Sequence, residues 1–266
     1  MNKSEKTKEK SLDIAVIAAD AKAMSGFGSL NFARDTAIPY ISILQTSSPQ
    51  VNPSKAEYME SAKAGQLYNT VTQESFDVLE VVPVFYHLKY VEWKPREQGG
   101  GFIASHDADS GIIGQTKRDP MTNKYVLSNG NHIVQTAYHY VLMVTNAGYQ
   151  NAVISMSSSQ LKKSRRWNSL MLSQKIKGPA GMFTPPTYAF TYKLSTVSES
   201  NDRGSWFGFQ IEKGEQVVNP TLYDEGKAFA QSASSGAIDA KPEEPKLIQS
   251  NGAKTETKES KEDIPF

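Results

Sequence analysis

The stretch Phe76-Asp-Val-Leu-Glu-Val-Val-Pro-Val-Phe-Tyr-His-Leu-Lys-Tyr-Val-Glu-Trp93 decides the fold class. Its Val, Phe and Tyr suit a pleated, half-buried surface, so it predicts strand, with a break near Pro83. Working outward, residues 40–45 alternate apolar and polar positions and read as an earlier strand. Residues 133–144, 152–156, 188–196 and 206–211 read as later ones. A helix is expected over 52–65, with Asn52 as cap, Pro53 in the first turn and Gly65 as stop. A second is expected over 157–174, where Leu161, Asn168 and Leu172 share a side, and a short third over 222–231. Many strands and few helices make the chain mainly β.

The chain has 266 residues, enough for one sizeable core. Apolar residues make up 38 %, below the roughly 45–50 % of globular proteins, so some unpacked length is expected. Residues 231–266 contain one aromatic, Phe266, and read as disordered because they bury too little apolar surface to offset ordering entropy. The organisation expected is an N-terminal extension over 1–35, a body over 36–230, a linker over 231–258 and a tip over 259–266. No apolar run is long enough to span a membrane. The basic start and the apolar residues after it mimic a signal peptide, but Asp13 and Asp20 lie within and just after that run. With no cysteine, disulfides, thiolate metal sites and a cysteine nucleophile are excluded, and a cytoplasmic setting is expected.

Net charge is +1, yet it is unevenly spread. Residues 120–198 hold no Asp or Glu but eight cations and nine aromatics. Cations that neutralise phosphates, interleaved with rings that stack on bases, are what a single strand of nucleic acid requires. The densest point is Lys162-Lys163-Ser164-Arg165-Arg166-Trp167, where helical spacing puts Lys162, Arg165 and Arg166 on one face. Lys175 and Lys177 follow. Trp167 reads either as a stacking ring or as the helix's core anchor. A second candidate is the loop 94–106 around Gly99-Gly100-Gly101, with Trp93, Lys94, Arg96 and Phe102. It reads either as a flap over a strand of bases or as a hairpin turn with Trp93 in the core. Tyr188, Phe190, Tyr192 and Leu194 line one strand face, barrel interior or stacking platform, and Tyr138 and Tyr140 pose the same choice.

Catalytic readings find little. The four histidines lack metal spacing, and no nucleophile elbow, phosphate loop or dinucleotide fingerprint occurs. Asp107 and Asp109 have the donors for a divalent ion, but a surface turn is expected. The reading is therefore a non-enzyme with no cofactor and no metal.

The last residues, Glu262-Asp263-Ile264-Pro265-Phe266, put a large apolar pair after acids. A ring that fills a pocket while carboxylates meet a partner's cations suits docking. This ending resembles the acidic tip of bacterial single-stranded DNA-binding proteins, although Lys258 and Lys261 interrupt the acidic run. The body, through Lys163-Ser-Arg-Arg-Trp-Asn168 and Asn201-Asp-Arg-Gly-Ser-Trp206, resembles the bacteriophage members of that family. The resemblance implies an OB-type five-stranded barrel with insertions that coats single-stranded DNA without sequence preference. It implies recruitment of replication, recombination and repair proteins through residues 262–266, possible homo-oligomers and no membrane partner. Two other functions fit the same features: a strand-annealing recombination protein, and a virion structural or interaction protein whose basic stretch faces another protein.

Overall fold

The computed structural model describes residues 37–240 except Ala147 and Arg203. The expected extension over 1–35, most of the linker and the docking residues 262–266 lie outside the described residues.

The strand expected within 76–93 is real and long. Strand β4 runs Leu79–Trp93 without interruption, after β1 (Ile41–Ile43), β2 (Leu67–Asn69) and β3 (Ser75–Phe76). Pro83 does not break it, because the register against the next long strand, β8 (His132–Thr145), shifts between Pro83 and Phe85. A bulge absorbs both the missing donor and the extra residue, Val84.

That bulge changes which side chains face which way. Before it, Leu79 and Val81 belong to one core, with Val82 and Val84 in the other. After it, Tyr86 and Leu88 point to the first core, and Phe85, Val91 and Trp93 to the second. Strand β8 alternates without a shift, with Ala137, Val141 and Met143 on one face and Tyr138, Tyr140 and Leu142 on the other.

Strands β5 (Phe102–Asp107), β6 (Lys117–Arg118), β7 (Tyr125–Val126), β9 (Gly148–Ser157), β12 (Phe190–Asn201) and β13 (Gly204–Gln216) complete a curled eight-stranded sheet. Its order is β13-β12-β4-β8-β7-β6, with β5 also on β4 and β9 also on β8. Five of these strands are long: β4, β8, β9, β12 and β13. Strand β1 lies between two of their ends. Tyr40, just before it, bridges Val153 of β9 in parallel. Gln45, just after it, donates to the Phe207 carbonyl of β13 and accepts from the Phe207 amide.

Helix α1 (Leu161–Leu172) packs on the first core through Ser164, Trp167 and Met171, with Leu161 half-buried against it and Leu172 exposed, so the side predicted from Leu161, Asn168 and Leu172 is only partly the buried one. The short β10 (Ile176–Gly178) and β11 (Gly181–Phe183) form a separate hairpin after it. Helix α2 (Pro220–Ser234) covers the second core with Leu222, Phe229 and Ala233. It starts two residues earlier than predicted because Asn219 caps the Thr221 and Leu222 amides and Pro220 takes the first turn. No described helix is long and apolar enough to cross a membrane.

Two further expectations are corrected. Residues 52–65 form no helix; single turns such as Lys55 to Asn52 and Ala62 to Met59 replace it. Only Ala62 of that segment is buried, so helix formers lack the apolar face that would repay nucleation. The chain is also ordered past residue 231. Ala233 and Ala240 are buried, Asp239 pairs with Lys89 at 2.9 Å, and the Ala240 amide donates to Tyr140 Oη. Alanines pack where the sheet leaves little room, which a search for large apolar residues overlooks.

The first core also encloses a histidine ring. His139 is buried, stacks on Trp167 with centroids 4.5 Å apart, and hydrogen-bonds Ser164 Oγ through Nε2 at 2.8 Å. Burial pushes its pKa down from 6.5 to about 3. The folded state therefore stays neutral while the unfolded chain takes up a proton below pH 6.5. Stability held above that pH should fall by roughly 1.4 kcal/mol per unit as pH drops toward 3. Urea titrations between pH 7 and pH 4 should show His139→Gln losing that share of the slope; parallel slopes for the two proteins would refute the assignment.

Candidate functional site

Helix α1 turns Lys162, Arg165 and Arg166 to solvent because Ser164, Trp167 and Met171 occupy its buried face. Their grouping matches the spacing argument. The stacking role for Trp167 is corrected: its ring is 1 % exposed, under His139 and edge-on to Tyr192. Phe190, Tyr192, Leu194, Tyr138 and Tyr140 are also buried and belong to the core, whereas Tyr188 lies in a turn before β12, half-buried against the second core rather than on the face of Phe190.

At the start of α1 lies an open groove of about 720 Å³. It is lined by Ser158, Ser159, Leu161, Lys162, Lys163 and Arg165 from one side, and by Glu199, Ser200 and Trp206 from the β12–β13 hairpin. The half-buried Trp206 is the ring that sequence reasoning did not assign. A sequence signal existed, since Trp206 sits one hairpin turn from Glu199, the first acid after the acid-free stretch.

Glu199 organises the groove. Its Oε1 pairs with Lys163 Nζ at 2.7 Å, and its Oε2 accepts from the Trp206 indole N–H at 2.8 Å. Lys163 is thus already neutralised, whereas Lys162, Arg165 and Arg166 have no acidic partner among the described residues. Gln160 adds a clamp by accepting from the Phe209 amide. Gly208 makes the cluster possible. A Cβ there would lie 2.5 Å from Glu199 Oε2, 2.7 Å from Lys163 Nζ and 2.8 Å from Gln160 Nε2.

The glycine loop is elsewhere. Trp93 lies seven residues beyond Tyr86, the residue opposite His139, hence roughly 23 Å further along β4. It also faces the second core, away from α1. The loop is a hairpin turn between β4 and β5, closed by the Lys94 amide to the Gly101 carbonyl. Gly99, Gly100 and Gly101 all have φ between 65° and 106°, which other residues rarely adopt. Trp93 is buried, so its stacking role is corrected too, while Phe102 meets it edge-on at 5.9 Å and stays 46 % exposed. Lys94 and Arg96 flank the turn, Lys94 exposed at its base and Arg96 exposed within it. Buried Glu92 anchors this hairpin. Burial raises its pKa, but hydrogen bonds from Asn131, His106 and Asn129 outweigh that and hold the carboxyl below its usual range.

Lys175 and Lys177 are exposed on and before β10, with Lys175 Nζ donating to Thr184 Oγ1. Asp107 lies 3.2 Å from His87, and Asp109 sits in a surface turn. No group of three His, Cys, Asp or Glu that could hold a metal exists among the described residues.

Replacing Gly208 tests the groove's construction. The clashing atoms are all ends of flexible side chains, so Gly208→Ala should fold with a loss of about 1 kcal/mol. Trp206 should lose its carboxylate partner, seen as a shift in tryptophan emission that Trp206→Phe abolishes. Unchanged emission would mean that the carboxylate does not hold the indole.

Residues 7–239 match the family described as Pam3 phage gp34-like protein. No curated protein matches the chain, and no solved structure does. Because the match spans most of the sequence, this chain belongs to the Pam3 phage gp34-like family.

Proposed function

We propose that the protein binds single-stranded DNA without sequence preference and coats it during phage replication, recombination and repair, catalysing no reaction itself. One observation carries the reading: uncompensated Lys162 and Arg165 share an open groove with the ring of Trp206. Phosphate neutralisation and base stacking are thereby offered within one site. The phage family is consistent with this setting, which would put the protein in the host-cell cytoplasm. Recruitment of partner proteins through residues 262–266 is part of the same proposal.

The strand order supports an OB-type barrel. Taken alone, the five long strands run β13-β12-β4-β8-β9, with α1 between the third and fourth in sequence and β1 spanning the open ends. In such barrels, the loops after the first strand and between the fourth and fifth hold oligonucleotides. Here these are residues 94–131, which carry Lys94, Arg96 and Phe102, and the 201–204 turn beside Trp206. The outer face of β4 and β8 is covered by α2, so the strand's path is assigned to α1 and the loops rather than to that face.

Titration with an unstructured oligonucleotide tests this. Trp93 and Trp167 are buried, so quenching reports on Trp206. Single strands should quench it and bind more tightly than duplex, and log affinity against log salt should slope at about −2 if three cations meet phosphates. Absence of binding at low salt, or equal affinity for duplex, overturns the proposal.

Glu199 supplies a second expectation, because its carboxylate occupies the place a phosphate would take on Lys163. Glu199→Gln keeps a partner for the Trp206 indole but frees Lys163. Affinity for single strands should rise by up to about fivefold at low salt, with the slope steeper by about 0.7. Equal or weaker binding would show that the carboxylate does not compete with the ligand.

A further inference from the structure

The β10–β11 hairpin follows the far end of α1 in the chain and exposes large apolar residues. Met182 is 65 % exposed, Phe183 48 % and Leu172, at the end of α1, 67 %. Two large apolar side chains this open to water on a two-stranded hairpin, with a third at the end of the helix before it, point to a ligand or partner. Its surroundings favour an anionic one. Lys175 and Lys177 are on the hairpin and its approach, and Lys162, Arg165 and Arg166 are exposed along α1, which spans about 15 Å from Lys162 to Leu172. No acid occurs between Pro120 and Ser198.

The Phe183 ring is held in place. A Cβ on Gly178, its neighbour across the hairpin, would lie 3.0 Å from Phe183 Cε1 and 3.2 Å from Cδ1. The ring therefore lies against bare backbone on one side, while almost half of the residue stays open to solvent. Register fixes it there, since Gly178 pairs with Gly181 and Ile176 with Phe183. Lys175 braces the base of the hairpin through Thr184. A ring fixed in advance loses little freedom when a planar partner stacks on it.

We infer that the β10–β11 hairpin is a second base-stacking site for single-stranded nucleic acid, with Phe183 as the platform on one face and Lys175 and Lys177, beside Met182 on the other face, meeting the phosphates as the strand passes over the hairpin's edge. The inference rests on the reading of the protein as a single-strand binder and extends the path from the Trp206 groove along α1 to its far end.

The test uses the full chain and an unstructured oligonucleotide long enough to cover both sites. Phe183→Ala should lower affinity by about 5- to 150-fold while leaving the salt slope unchanged, because stacking releases no counterions. Lys177→Gln should instead flatten the slope by about 0.7. A direct readout comes from Phe183→Trp in a Trp206→Phe background, where the oligonucleotide should quench the new tryptophan. Full affinity for Phe183→Ala together with no quenching overturns the inference while the parent's binding preserves the first proposal. A parent that binds no single strand removes both. A hairpin that serves self-association would change the oligomeric state of Phe183→Ala at constant DNA affinity, which also overturns the inference.

Discussion

The structure depends on one added residue in one strand. Strand β4 is bonded to β8 along nearly its whole length, and it must present apolar side chains to two cores at once. Side chains alternate strictly along a strand, so a pattern that changes parity partway needs a bulge. The shift between Pro83 and Phe85 supplies it. It lets Val81 and Leu88, seven positions apart and thus of opposite parity, serve the core beneath α1. It likewise lets Val84 and Trp93, nine positions apart, serve the core beneath α2. Proline is tolerated there because a bulge leaves a position outside the ladder. Curvature follows from the same feature, since bulged strands bend and twist more strongly.

With both faces of β4 and β8 lined by core side chains, these strands offer a ligand little open sheet surface. What remains accessible is the outer side of α1 and the turns at the strand ends. The buried side of α1 is fixed by Trp167 against His139, which orients the cations outward. The groove is then completed by the β12–β13 hairpin, and its close approach is possible because Gly208 lacks a Cβ where Lys163, Glu199 and Gln160 converge. Packing on one side of the helix thus determines the chemistry on the other.

Much of this is legible in the sequence. The long strands are visible because Val, Ile and aromatic residues cluster between turns, and α1 because Leu161, Asn168 and Leu172 recur at helical spacing after serines that can cap it. The basic face of Lys162, Arg165 and Arg166 follows from that spacing alone. The bulge is not legible, since Pro83 announces an interruption but not whether a strand resumes on the same edge. Residues 52–65 mislead because capping residues and helix formers carry no information about whether a neighbour offers an apolar surface. Residues 232–240 mislead in the opposite sense, since small alanines reach the second core. The site is half legible. Cations can be grouped by local spacing, but Trp206 and Glu199 enter the groove from a hairpin more than thirty residues further along the chain, and pairing across that distance is a property of the sheet.

The exchange of Trp167 for Trp206 as the ring of interest has an energetic reason. Truncating a buried tryptophan costs about 3–5 kcal/mol of stability, whereas an exposed stacking ring adds roughly 1–3 kcal/mol to binding. A total stability of about 5–15 kcal/mol leaves little room for giving up the first in order to gain the second. A tryptophan on a helix that seals a β core is therefore held by the fold. Rings free to meet a ligand must sit where their removal leaves the core intact, on hairpins. Trp206 and Phe183 meet that condition, and they stand at opposite ends of the same basic helix.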